Sequence, residues 1–136
     1  MSSTRYKGRD GVTGPVIGAL QCIPIQFDDV ANGETASQRI ELPAGAAFEV
    51  TDIKVSADSV TSDPALTIGT SAAGTQVVAA VNVTTDLGAL TIKDGTVAAG
   101  GFLDVVLVAD AGDAAESVSV SVWGHIASEP TSVAKR

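Results

Sequence analysis

From residue 117 the chain runs Ser-Val-Ser-Val-Ser-Val-Trp, with Val118, Val120 and Val122 alternating against Ser117, Ser119 and Ser121. A strict period of two matches the pleat of a β-strand and misses the 3.6-residue period of a helix. Serine and valine are also mediocre helix formers, so no helical reading fits. The valine face is expected in a core, and the serine face in water or under a partner. Phe48 to Ala57 shows the same alternation with a change of phase. Phe48 and Val50 share one parity, while Ile53, Val55 and Ala57 share the other. That slip predicts a β-bulge or bend near Thr51–Asp52, of the kind strands make when they pass between two sheets.

The remaining apolar runs are short and punctuated by turn residues. Leu20 to Phe27 contains Pro24, which lacks the amide proton a sheet interior needs and so confines the strand to an edge or a bulge. Arg39–Ile40–Glu41–Leu42 closes a strand before the turn at Pro43–Ala44–Gly45. Leu66 to Gly69 follows the Asp63–Pro64 turn, and Val77 to Val83 alternates. Leu90–Thr91–Ile92 reads as a strand entering a tight turn at Asp94–Gly95. Phe102 to Val108 is apolar at both parities and is expected in the middle of a sheet. Val97–Ala98–Ala99–Gly100 echoes Leu42–Pro43–Ala44–Gly45, each before an aromatic-led strand, as two related halves would have.

Valine and alanine dominate the apolar residues, and Tyr6, Phe27, Phe48, Phe102 and Trp123 are the aromatics. Small β-branched side chains suit thin sheets packed face to face. The expected fold is all-β: a two-sheet antiparallel sandwich, a jelly roll of about eight strands in preference to an immunoglobulin-like order. An extended basic arm (residues 1–18) precedes the sandwich (19–127), and a short tail (128–136) follows it. Glycines 8, 11, 14 and 18 with Pro15 break up any regular element in the arm.

Charge is distributed unevenly. Residues 10–134 contain all sixteen carboxylates but only Arg39, Lys54 and Lys93 as cations, whereas Arg5, Lys7, Arg9, Lys135 and Arg136 stand at the ends. An acidic body, with a sequence pI near 4.3, disfavours nucleic acid as a partner. Arg5, Lys7 and Arg9 alternate, so an extended arm would point all three one way and Tyr6 the other. Such an arm can line an acidic surface or add to a partner's sheet edge. No run approaches the ~18 apolar residues of a membrane span, and the N-terminal stretch lacks the apolar core of a signal peptide.

Chemistry is scarce. Cys22 is the single cysteine and His125 the single histidine. Cys22, in an apolar run, is expected as a small core residue, and His125 as a strand-end residue. No spacing pairs them as nucleophile and base. Asp28–Asp29, Asp58 with Asp63, and Asp110 with Asp113 lack the spacing of a calcium loop and are expected to cap turns. Neither an enzyme, a metal nor a cofactor is expected.

Four stretches carry a family likeness: Ile40–Glu–Leu–Pro–Ala–Gly–Ala, Phe48–Glu–Val–Thr–Asp–Ile–Lys–Val, Leu66–Thr–Ile–Gly–Thr–Ser, and Glu116 to His125. In them the chain resembles the small β-sandwich cement, or decoration, proteins of tailed-bacteriophage capsids. The resemblance implies a structural virion protein, made in the host cytoplasm, that binds the capsid exterior and bridges major capsid proteins. It implies a homo-oligomer, dimer favoured over trimer. Arg5, Tyr6, Lys7, Arg9, Lys135 and Arg136 are then the expected capsid contacts. The serine face of Ser117, Ser119 and Ser121, or apolar positions left exposed on the Phe102–Val108 strand, would supply the self-contact. A glycan- or receptor-binding virion module is the competing expectation, and it requires a cluster of exposed aromatics.

Overall fold

The computed structural model describes residues 20–128. The arm and residues 129–136 of the C-terminal tail, with Arg5, Tyr6, Lys7, Arg9, Lys135 and Arg136, lie outside the described residues. Twelve strand segments and no helix occur within them: β1 (Leu20–Phe27), β2 (Val30–Ala31), β3 (Thr35–Glu41), β4 (Ala47–Ser56), β5 (Ser59–Thr61), β6 (Ala65–Gly69), β7 (Val78–Asn82), β8 (Gly88–Ala89), β9 (Thr96–Val97), β10 (Phe102–Val108), β11 (Ala114–Glu116) and β12 (Val118–Ser128).

Their pairing reduces to one three-stranded ribbon. Residues 102–128 form its middle. On one side β1, β2 and β3 pair antiparallel with β12, β11 and β10. On the other side β4, β5 and β6 pair antiparallel with the same three. The ribbon bends double at its waist, the short β2-β11-β5 sheet, so that its halves face each other as the sheets β1-β12-β4-β8 and β3-β10-β6-β7. Residues 78–97 then run from β7, at the edge of the second sheet, to β8 and β9, which pair with β4 at the edge of the first. Two four-stranded walls in this order are a jelly roll, with β8 and β9 as two pieces of one edge.

The fold places the alternating valines as their period demands. Val118, Val120 and Val122 are fully buried, and they pack with Phe48, Ile53 and Val55 of their own sheet against Leu66, Ile68, Leu103, Val105 and Leu107 of the other. Each buried aliphatic contributes ~1.5–3 kcal/mol, and this apolar interior holds the two walls together. The phase slip in β4 is a bulge: Asp52 faces Trp123 and Val50 faces Gly124, with Thr51 unpaired between them. β4 nonetheless stays in one sheet; the bulge turns its side chains over without moving the strand across. On β12, Gly124 is opposite the bulge because a side chain there would collide with the Glu49 carbonyl and the Phe48 ring.

Pro24 lies on β1, an edge strand, and β10 is central. The two echoing turns are equivalent. Ala46 donates to Pro43 O (3.2 Å) and Gly101 to Ala98 O (2.9 Å), around Gly45 and Gly100 with φ of 86° and 73°. Positive φ at the third turn residue is the type II geometry that favours glycine. Asp113 holds the waist, its carboxylate accepting from the Asp63 and Asp110 amides (both 3.1 Å) and its carbonyl from the Asn32 amide (3.0 Å).

Two expectations fail. Leu90–Thr91–Ile92 is not a strand. The Leu90 amide reaches Ile53 O at 2.8 Å, but the regular edge segments are Gly88–Ala89 and Thr96–Val97. Cys22 is exposed rather than part of the core. Ile23, Ile25 and Phe27 take the inward parity of β1, which sends Leu20, Cys22, Pro24 and Gln26 outward.

Candidate functional site: the outer face of the first sheet

Register across β1, β12 and β4 arranges the outward side chains in four rows. They are Leu20–His125–Glu49, Cys22–Trp123–Asp52, Pro24–Ser121–Lys54 and Gln26–Ser119–Ser56. The central residues Ser119, Ser121, Trp123 and His125 are half-buried, while all four β1 residues are exposed, Leu20 at 65%. The face therefore has an apolar corner (Leu20, Cys22, Pro24, Trp123) and a polar half centred on the two serines. Ser119 Oγ lies 2.6 Å from Gln26 Oε1 and donates to it, so this hydroxyl is partly satisfied within the chain. Ser117 does not join the serine face: it precedes β12 with φ of 51°, outside the strand's alternation.

The second self-contact expectation is corrected. β10 has no exposed apolar position: Leu103 to Leu107 are buried and Phe102 and Val108 half-buried. Its outward row instead holds Asp104, 6% exposed, which accepts from the Ala73 amide at 2.7 Å. Arg39, its register partner on β3, sets Nε 3.8 Å from Asp104 Oδ1 and its guanidinium 4.0 Å from the Phe102 ring centroid. A carboxylate this deep requires such partners. The cluster straps residues 70–76 onto the sheet and is structural.

The topology brings Cys22, His125 and Glu49 onto one face, which sequence spacing gave no reason to expect. His125 directly faces Leu20 and Glu49, and Cys22 is diagonal to His125, ~7–8 Å away for such pairs. No hydrogen bond joins Cys22 to His125 among the described residues, and Glu49 accepts from the Thr96 hydroxyl at 3.0 Å. Among the described residues no set of three His, Cys, Asp or Glu side chains gathers to hold a metal. The three aspartate pairs all lie in connections, as turn chemistry requires. A depression beside β2 and β3, lined by Asp29, Val30, Glu34, Thr35 and Ala36, is shallow and open. The outer face of the first sheet thus presents an apolar corner and a polar half. Its apolar corner was legible in the parity of Ile23, Ile25 and Phe27; its union with Trp123 required the register.

No family model matches the sequence, and no curated protein matches it. One solved structure does, described as the cyanophage Pam1 capsid asymmetric unit. The match has 18% identity and a TM-score of 0.50, and covers 90% of this chain and 93% of that one. At this identity the likeness shows a shared fold, spanning nearly the whole of both chains.

Proposed function

We propose that this chain is a structural virion protein of a tailed bacteriophage, which binds the outside of the capsid and stabilises it by bridging major capsid proteins. The observation that carries the reading is the near-complete fold match, over both chains, to a component of a phage capsid asymmetric unit. A jelly roll whose outward face offers rows of contact residues supports it. The basic residues Arg5, Lys7, Arg9, Lys135 and Arg136, with Tyr6, contact capsid carboxylates, and many modest contacts repeated over a shell add to a large stabilisation. A second copy of the chain packs on the face of Ser119 and Ser121, as a dimer in preference to a trimer.

The test is direct. Purified protein is mixed with expanded empty shells, and electron microscopy locates it while the shells' heat resistance is measured. Density on the exterior and raised heat resistance are expected; bare shells overturn the reading. Removal of residues 2–11 releases the protein from shells without unfolding it, and high salt weakens its binding. The glycan- or receptor-binding alternative draws on Trp123, half-exposed beside Cys22 and Asp52. Retention on a glycan array together with bare shells would favour it.

A further inference from the structure

The outer face of the first sheet carries its formal charges in one column. Along β4 the outward residues run Glu49, Asp52, Lys54 and Ser56: two acids, then a base and a hydroxyl. Lys54 is exposed, and among the described residues no carboxylate pairs with it; the ion pair found there, Arg39–Asp104, is on the other sheet. The neighbouring column on β12 is His125, Trp123, Ser121 and Ser119, and the outermost, on β1, is Leu20, Cys22, Pro24 and Gln26. Trp123 is the single tryptophan, half-buried beside the exposed Cys22 and Pro24.

Such a face can meet a second copy about a two-fold axis lying in the interface, where residue i rests on residue j and j on i. The charges choose where that axis falls. An axis along the strands lays the β4 column over the uncharged β1 column of the second copy and leaves Lys54 on Pro24. An axis across the strands lays β4 on β4. On the second row it sets Asp52 on Asp52, on the third Lys54 on Lys54, and between the first two rows Glu49 on Asp52. Between the second and third rows it sets Asp52 on Lys54 and Lys54 on Asp52, with Glu49 on Ser56. No other position joins opposite charges without also opposing like ones. The same axis sets Trp123 on Ser121 at each of two sites, a large side chain against a small one, and Cys22 on Pro24.

We propose that two copies pack face to face on the outer side of the first sheet, about a two-fold axis between the Cys22–Trp123–Asp52 and Pro24–Ser121–Lys54 rows, held in register by reciprocal Asp52–Lys54 ion pairs. The inference rests on the reading of the serine face as a self-contact and adds its register and its specificity. Three strands ~4.8 Å apart and four rows ~6.8 Å apart give a footprint of roughly 400 Å² per copy, about half that of a standard stable interface. The free dimer is accordingly weak, so two charge pairs near its axis decide whether it forms.

Sedimentation velocity of the full chain over a concentration series tests the register, with the emission of Trp123 recorded alongside. The parent dimerises as concentration rises, and Trp123 emission moves to shorter wavelength as the indole leaves water. Asp52→Lys and Lys54→Glu each weaken the dimer about tenfold or more, because either change sets two like-charged pairs beside the axis. Asp52→Lys does so although it makes each copy less negative, which would tighten any association governed by net charge alone. An equimolar mixture of the two variants recovers the dimer to within about threefold of the parent, since two cations of one copy then meet two carboxylates of the other. Recovery also shows that both variants are folded. A parent that stays monomeric at every concentration it tolerates, a trimer, variants that dimerise as the parent does, or a mixture that stays monomeric would overturn the proposal. A dimer under the control of these charges, in a protein that leaves shells bare, would sink the virion reading and keep the interface. Shells bound alike by the parent and both variants, with no dimer in solution, would sink the interface and keep the virion reading.

Discussion

Replacing Asp104 tests how β10, apolar on both faces, accommodates a charge. In Asp104→Ala the Ala73 amide loses an ionised acceptor at 2.7 Å, a bond worth ~1.5–3 kcal/mol. The Arg39 contact adds less: it spans 3.8 Å and the arginine side chain is 42% exposed, so solvent screens it to ~0.2–1 kcal/mol. Together these place Asp104→Ala at ~2–4 kcal/mol, or a fall in Tm of roughly 6–16 °C for a domain of this length. Asp104→Asn keeps an acceptor for Ala73 and should cost ~0.5–1.5 kcal/mol, the difference between a charged and a neutral hydrogen bond. Arg39→Ala forfeits the ion pair and the contact with Phe102, ~1–2 kcal/mol in all. Urea unfolding measures the ranking, and amide exchange reports the strap: protection at Ala73 and Gly74 should fall more in Asp104→Ala than protection in β10. A stability of Asp104→Ala within about 0.5 kcal/mol of the parent, or equal losses for Ala and Asn, would refute the account.

Three other measurements check the packing and the outward face. Gly124→Ala forces a methyl group into the Glu49 carbonyl and the Phe48 ring and should cost ~2–4 kcal/mol. Gly112→Ala, with open space around it and φ of 89°, should cost only the ~1–2 kcal/mol of left-handed backbone, and equal losses would remove the bulge argument. Leu66→Ala opens a cavity between the sheets at ~2.7–5 kcal/mol in thermal or urea unfolding, and a loss under 1 kcal/mol would mean the walls are not packed as described. Cys22 should react with a thiol reagent in the folded monomer nearly as fast as in urea, and strong protection would restore the core placement that its apolar run implied.

Much of the fold was readable from local rules, because local rules are what strands obey. The Val118–Val122 alternation, the phase slip around Thr51, the edge position that Pro24 imposes and the central position of an all-apolar β10 each follow from the pleat and from backbone hydrogen bonding. The aspartates fell in connections for the same reason, and Asp113 capping Asp110 is the local bond that residue type offers. The errors were failures to carry a rule through. Ile23, Ile25 and Phe27 already determine the parity that exposes Cys22, and Asn32–Gly33, with φ of 52° and 87°, is a tight-turn signal that marks the waist. Leu90–Ile92 lost to tertiary context: Leu90 and Ile92 pack half-buried against the core, and one hydrogen bond ties Leu90 to β4 without a strand forming.

What the residues alone determined is a neutralised list: strands, turns, a bulge, an acidic middle and basic ends. Alternation states which side chains share a face of their own strand, and it is silent on which strand lies alongside. Pairing between residues a hundred positions apart set Cys22 beside Trp123 and gave β12 both β1 and β4 as neighbours. Those placements depend on register and on the bend of the ribbon, which arise from packing two sheets over one interior. Only the tertiary structure could turn alternating strands into one face with an apolar corner and a polar half.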